Sequence, residues 1–415
     1  RTPMNIIIGT AQLILGSDLT EQQRRWITNL RTAGDHLLLL INDVLDVSKI
    51  EADKLEIDER PFDLDSLISN VEVLFKDKAQ EKGIDFLIDE RWPQDVVPRG
   101  DETRLLQIIV NLLSNAIKFT QSGFVCLRVD GDFRGKEHLL LRFTVSDSGI
   151  GIDKSMHEQI FSAFQQAESA TTRTYGGTGL GLSISAGLVE LMKGTFGLES
   201  EPDKGSEFWF ECEFPLDASE AEASSISVDQ RTLLLDIDGK VEEVLRYQLE
   251  AIGCSVTVAD HSQWEPETML EASRPELVFI PVSLLENSHN YGSYLMSALP
   301  DAKFYCLSHS DEPVPIRDAG RFQTLSMPFR RNVLIDAVIA GADSDHYSFE
   351  AQDAIDLSDK KILIVDDEYF HRELEKDLLD SQGATISTAD SGQMAIDTLL
   401  GGMSPHLVLM DVRMP

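Results

Sequence analysis

The sequence predicts three kinds of fold in one chain: an all-α hairpin, an α+β sandwich, and tandem doubly wound α/β domains. Three observations carry this. A helical apolar rhythm runs through residues 21 to 58 and closes at Pro61. Alternating β-rich runs, "FVCLRVDG", "LLLRFTVSDSG" and "SEFWFECEFPL", share residues 62 to 216 with helical stretches and are separated by Gly and Asp turns. From residue 231 the chain repeats itself, "LLLDID" matching "ILIVDD" and "PELVFIPVSL" matching "PHLVLMDVRM". Asp236 precedes Asp366, and Pro281 precedes Asp411, by the same 130 residues, so the copies align without a gap.

The hairpin comes first. Residues 1 to 16 are a short apolar segment, and "SDLT" leads into a longer helix whose stripe is Trp26, Leu30, Leu37, Leu38, Ile41, Val44, Leu45 and Val47. A lone hairpin cannot bury both stripes, so pairing with a second copy into a four-helix bundle is the economical arrangement. Packing onto the chain's own downstream domain is the alternative.

In the middle block, "DETRLLQIIVNLLSNAIKFT" places Gln107, Asn111, Asn115 and Lys118 three or four apart on one helix face. Leu105, Ile108, Ile109, Leu112 and Leu113 take the others. Asn is a poor helix former, so two of them one turn apart ask for a reason. Amide oxygens can help complete the shell of Mg²⁺. "VSDSGIGI" ends a strand at Asp147 ahead of Gly149 and Gly151, where missing side chains let a ligand approach the backbone. "YGGTGLGLSISAGLVELM" sets Gly176, Gly177, Gly179 and Gly181 before a helix whose free N–H groups suit phosphate. Neither a GxxxxGK[ST] loop nor a GxGxxG fingerprint is present.

Composition bounds the function. Lys and Arg total 36 against 71 Asp and Glu, a formal net charge of -35, which repels a phosphate backbone and argues against nucleic acid as a partner. Four scattered cysteines offer neither a disulfide framework nor zinc spacing and fit a reducing cytoplasm. No apolar run reaches the ~18 residues that cross a bilayer, so any membrane anchor is expected upstream of Arg1. Two acidic stretches without Lys or Arg, at 217 to 230 and 341 to 359, read as linkers. The expected domains are 1–60, 61–216, 231–343 and 360–415, with linkers at 217–230 and 344–359.

Together, "NLLSNAIKFT", "DSGIGI" and "GGTGLGL" resemble the N, G1 and G2 boxes of the GHKL (Bergerat) ATP-binding fold, and "IFSAFQQAESATTRTYGG" is similar to the F box and ATP lid of histidine kinases. The resemblance implies ATP and Mg²⁺ as cofactors. It implies that Asp147 accepts from the adenine amino group, Asn115 ligates Mg²⁺, Asn111 and Lys118 hold phosphates, and Arg173 reaches the γ-phosphate. Gly149, Gly151, Gly177, Thr178, Gly179 and Gly181 complete the implied ATP site, with Gln107 and Asn111 implied in catalysis. "RTPMN" is similar to the tail of the family's H-E-[IL]-R-T-P motif. That implies a phosphoacceptor histidine just upstream of Arg1 and a dephosphorylation role for Thr2. His36 lacks that motif and reads as a packing or surface residue.

The tandem copies resemble flavodoxin-like response-regulator receiver domains. In the second, Asp366, Asp367 and Asp411 are implied to gather Mg²⁺, with Asp411 the phosphoacceptor, and the later strands are expected beyond Pro415. In the first, Ile237 replaces the second acid, Pro281 the acceptor and Met327 the lysine, which reads as a degenerate pseudo-receiver. The whole resembles a hybrid sensor histidine kinase of two-component systems, truncated at both ends. It is expected to act as a homodimer and to pass phosphoryl groups from histidine to Asp411, and on to a phosphotransfer domain or response regulator. A GHKL-type ATPase or a non-catalytic ATP-binding scaffold is the alternative.

Overall fold

The computed structural model describes residues 10–11, 14–15, 19–52, 54–94, 96–157, 159–162, 180–216, 230–261, 274–287, 291–309, 321–342, 360–365, 379, 384–389, 391–400 and 405–410. The chain divides into two compact units, Leu39–Ser344 and Arg1–Leu38 with Asp345–Pro415.

Helix α1, Glu21–Glu51, begins at a reciprocal cap: Thr20 Oγ1 accepts from the Gln23 N–H at 3.3 Å, and Gln23 Oε1 accepts from the Thr20 N–H at 2.9 Å. The apolar rhythm read to residue 58 ends as a helix at Glu51, because Leu55 and Ile57 leave the helical line to join the core of the next domain. Trp26, Leu30, Leu37, Val44 and Leu45 remain exposed along α1. Among the described residues no helix is long and apolar enough to cross a membrane.

The next domain runs β1 (Arg60–Pro61), α2 (Leu64–Lys82), β2 (Ile84–Arg91), β3 (Arg99–Gly100), α3 (Glu102–Phe119), β4 (Gly123–Arg134), β5 (His138–Asp147), α4 (Gly181–Leu191), β6 (Thr195–Glu201) and β7 (Gly205–Pro215). Its sheet has the order β2-β4-β5-β7-β6, with β2 parallel to β4 and the other pairs antiparallel. Aspartates open two of the helices. Asp63 accepts from the Asp65 N–H, and Asp101 from the Arg104 N–H at 3.1 Å. Leu105, Ile108, Ile109, Leu112 and Leu113 of α3 are all buried against the sheet, each contributing about 1.5–3 kcal/mol. That burial fixes the rotation of α3 and so decides where its amide face points.

The third block runs β8 (Arg231–Leu235), α5 (Gly239–Ile252), β9 (Ser255–Ala259), β10 (Leu277–Pro281), α6 (Val282–Asn287), α7 (Tyr291–Ala298), β11 (Lys303–Ser308), β12 (Phe322–Ser326) and α8 (Arg331–Ala342). Its five strands are all parallel in the order β12-β11-β10-β8-β9, a doubly wound sheet. The last block has β13 (Lys361–Val365), β14 (Thr385–Ala389), α9 (Gly392–Leu400) and β15 (Leu407–Met410), with parallel order β14-β13-β15. Strands β13, β14 and β15 begin at 361, 385 and 407, each 130 residues after β8, β9 and β10 at 231, 255 and 277. The repeat seen in the letters is a repeat of strands.

Candidate functional site

The amide face of α3 meets the N-terminus of α4, and the turn after β5 lies against the end of α3 at Phe119. The link between the helices is a side-chain bond, Asn111 Nδ2 donating to Ser185 Oγ at 2.8 Å. Gly181, one turn before Ser185, makes this approach possible, since a Cβ there would lie 2.2 Å from Asn111 Oδ1. Asn115 sits a turn further along α3, its Nδ2 turned toward Asn111 Oδ1 at 3.5 Å. Among the described residues no side chain caps α4 at Leu180, and the start of the helix, with its positive dipole end, lies beside Asn111.

Asp147 closes the site at the end of β5. It is 8% exposed, and its Oδ1 accepts from the Gly149 N–H at 2.8 Å. Burial pushes its carboxyl up to about 6, opposed by the backbone bonds from Gly149 and Ser206. A buried, acceptor-rich group at such a place matches a donor such as an exocyclic amine. The turn after it needs glycine: Gly151 has φ +64°, and a Cβ there would meet the Glu201 carbonyl oxygen at 1.9 Å.

Lys118 lies at the end of α3 with its ammonium 4.9 Å from the Phe119 ring centre, and burial lowers its pKa. The C-terminus of α3 is held from outside, by Lys82 Nζ on the carbonyl oxygens of Ile117 at 2.6 Å and Lys118 at 3.3 Å.

Gln107 stands apart from the other amides. Its Nε2 donates to Asp46 Oδ2 of α1 at 3.0 Å, and its Oε1 accepts from Arg104 at 2.8 Å, while Arg104 itself pairs with Asp46 at 3.3 Å. Both ends of the amide are used in fastening α1 to α3. Asp46, Arg104 and Ser185 were not singled out from the sequence. Ser185 carried a signal, being four residues after Gly181 and so on its face of α4. Asp46 carried none, because its partner lies about sixty positions on.

Thr2, Arg173, Gly177, Thr178, Gly179, Asp366, Asp367 and Asp411 fall outside the described residues. In the third block, Pro281 ends β10 and Ile237 and Met327 are buried apolar residues. The surviving acid, Asp236, adopts φ +56° and is occupied by His261, accepting from its backbone N–H at 2.7 Å and facing its Nδ1 at 2.5 Å.

The mixed sheet, the amide-bearing helix and the buried aspartate define an ATPase domain of the kind shared by histidine kinases, DNA gyrase B and HSP90, whose family model matches residues 100–217. The His Kinase A (phospho-acceptor) domain model matches residues 1–53 and the response regulator receiver model residues 362–415. The chain carries those three domains in that order, the domain set of the hybrid histidine kinases. "Sensor histidine kinase GacS" of Pseudomonas protegens is 30% identical over all of this chain and 46% of its own length. "Histidine kinase 2" of Arabidopsis thaliana is 29% identical over all of this chain and 42% of its own. The chain thus spans less than half the length of these relatives. The crystal structure of full-length ShkA in complex with AMPPNP is similar in fold, with a TM-score of 0.66 and 29% identity over all of this chain and 85% of that one.

Proposed function

We propose that residues 61 to 216 bind Mg·ATP and direct its γ-phosphoryl group onto a histidine of the hairpin, at the position that "RTPMN" implies just upstream of Arg1. From there Asp411 takes it on to a downstream phosphotransfer domain or response regulator. The observation that carries the reading is Asp147, a buried carboxylate at a strand end, hooked to Gly149 where the turn after β5 lies against the end of α3.

Each residue has a task in this scheme. Ionised Asp147 accepts from the adenine amino group and sets the orientation of the base. Asn111, held by Ser185, and Lys118 line the phosphate path, and the N-terminus of α4 adds backbone N–H groups to it. With its Nδ2 turned to Asn111, Asn115 offers Oδ1 to Mg²⁺, which keeps waters and shares phosphate oxygens. Phosphoryl transfer depends mainly on position and charge stabilisation, so a rigid α3–α4 junction is the main requirement on the protein. The exposed apolar stripe of α1 supports pairing of two chains through the hairpin. Calorimetric titration with ATP, with and without Mg²⁺, tests the site. Binding that ignores Asp147→Asn overturns the assignment.

A further inference from the structure

We propose that the degenerate receiver, β8 to α8, is a fixed part of the ATP-binding domain, folding with it as one cooperative unit and sealing the outer face of its edge strand β2. An edge strand of a sandwich should show one wet face, yet Ile84–Arg91 is buried or half-buried along its whole length. Ile84, Phe86 and Ile88 face the sandwich core. Leu87 points the other way and is 1% exposed, as is its register partner Cys126 on β4. Both belong to the same apolar cluster as Leu245 and Leu249 of α5 and Phe329 beyond β12. One core therefore runs through two domains.

Polar contacts fix the register of that core. Gln248 of α5, fully buried, donates Nε2 to the carbonyl oxygen of Ile88 at 2.9 Å, satisfying an edge-strand acceptor that would otherwise need water. Glu90, 2% exposed, is gripped twice: Arg330 Nε donates to Oε1 at 2.5 Å and the Arg331 N–H to Oε2 at 2.6 Å. Arg330 continues to α2, donating to Ser69 Oγ at 2.9 Å and Asp65 Oδ1 at 3.2 Å. Arg331 reaches back to the carbonyl oxygen of Trp92 at 2.9 Å. A buried ion pair adds little net stability over an apolar substitute, but stranding one partner is severe. The apolar face therefore supplies the adhesion and Arg330–Glu90 the register.

A receiver in a relay must present its acceptor to a histidine and then move on. One sealed to β2 along α5 and along the loop before α8 does not travel, so Pro281 in the acceptor position removes nothing that this copy performs. Its work is to cover β2.

Hydrogen exchange on the whole chain tests this. The slowest amides of β2, β4 and β5 should exchange with the same opening free energy as those of β8, β10 and β11. Glu90→Ala, which removes Arg330's buried partner and leaves it only its contacts on α2, and leaves the Arg331 N–H unmatched, should speed exchange in both sets by one common factor, about a hundredfold. Gln248→Ala, a gentler change that leaves only the Ile88 carbonyl unmatched, should speed both sets about tenfold and decides the matter if Glu90→Ala does not fold. Acceleration confined to either domain, or two different opening free energies in the unaltered chain, overturns the proposal.

Discussion

Replacing Asp147 by Asn should weaken nucleotide binding and stabilise the empty protein, and the two effects should share one pH dependence. Burial raises the folded-state carboxyl from 3.8 to about 6. The folded protein therefore holds this proton more tightly than the unfolded chain does. The favourable contribution is fully present below pH 3.8 and is lost as pH rises through about 6, leaving a burden of up to about 3 kcal/mol at pH 8. Asn cannot ionise and its Oδ1 can still accept from the Gly149 N–H, so Asp147→Asn should gain about 1–3 kcal/mol at pH 8. That corresponds to roughly 2–4 °C in melting temperature per kcal/mol for a domain of this size. The gain should shrink toward pH 5, still above the isoelectric region near 4.5. Affinity moves the other way. An amide that can turn a donor toward the adenine amine leaves a mismatch of ~1–3 kcal/mol, a roughly ten- to hundredfold loss at pH 8. The unaltered chain should bind ATP progressively less well below pH 6, while the variant, which shares only the titration of the phosphates, should change less. Melting curves and calorimetry at pH 5 to 8 read both effects. Equal affinities, or a variant less stable than the parent at pH 8, would overturn this role for Asp147.

Further outcomes follow from the same geometry. Asn115→Ala should remove most of the Mg²⁺ dependence of ATP binding while leaving metal-free binding nearly intact, read by titration with and without the ion. Gly151→Ala forces a Cβ to within 1.9 Å of the Glu201 carbonyl at φ +64° and should lower stability by ~2 kcal/mol or more in denaturant melts. Acetyl phosphate and Mg²⁺ should place no phosphoryl group on peptides spanning β8 to α8, because Pro281 offers no nucleophile and Asp236 is occupied by His261; mass mapping of the whole chain checks this.

Much of the architecture could be read from the letters, and the reason is periodicity. The 130-residue repeat returned as three strand starts at the same spacing. The apolar positions of "LLQIIVNLLSNAI" oriented α3 correctly, so the amide at 111 emerged against Ser185 and Gly181 of α4 with the amide at 115 next to it. What remained hidden depends on partners remote in sequence. Gln107 has the same helical spacing as Asn111, yet Asp46 and Arg104 claim it, and no local pattern links positions 46 and 107. The β2 segment "IDFLIDER" carries three acids with no local sign of a covering partner. In the structure Asp89 and Glu90 are buried, because a domain about 150 residues downstream covers it. Arg330 follows the "LSMPF" stretch read only for its missing lysine. Its role appears when Glu90 is set against it.

Labelling from γ-labelled ATP shows whether the nucleotide site proposed here serves a histidine on the hairpin. The chain should be preceded by His-Glu-Ile and enough helix to complete the bundle. The expected result is an acid-labile label that disappears with His→Gln in the extension or with Asp147→Asn, and that survives His36→Gln. A label on the unextended chain that His36→Gln removes, or one that Asp147→Asn leaves untouched, would contradict it.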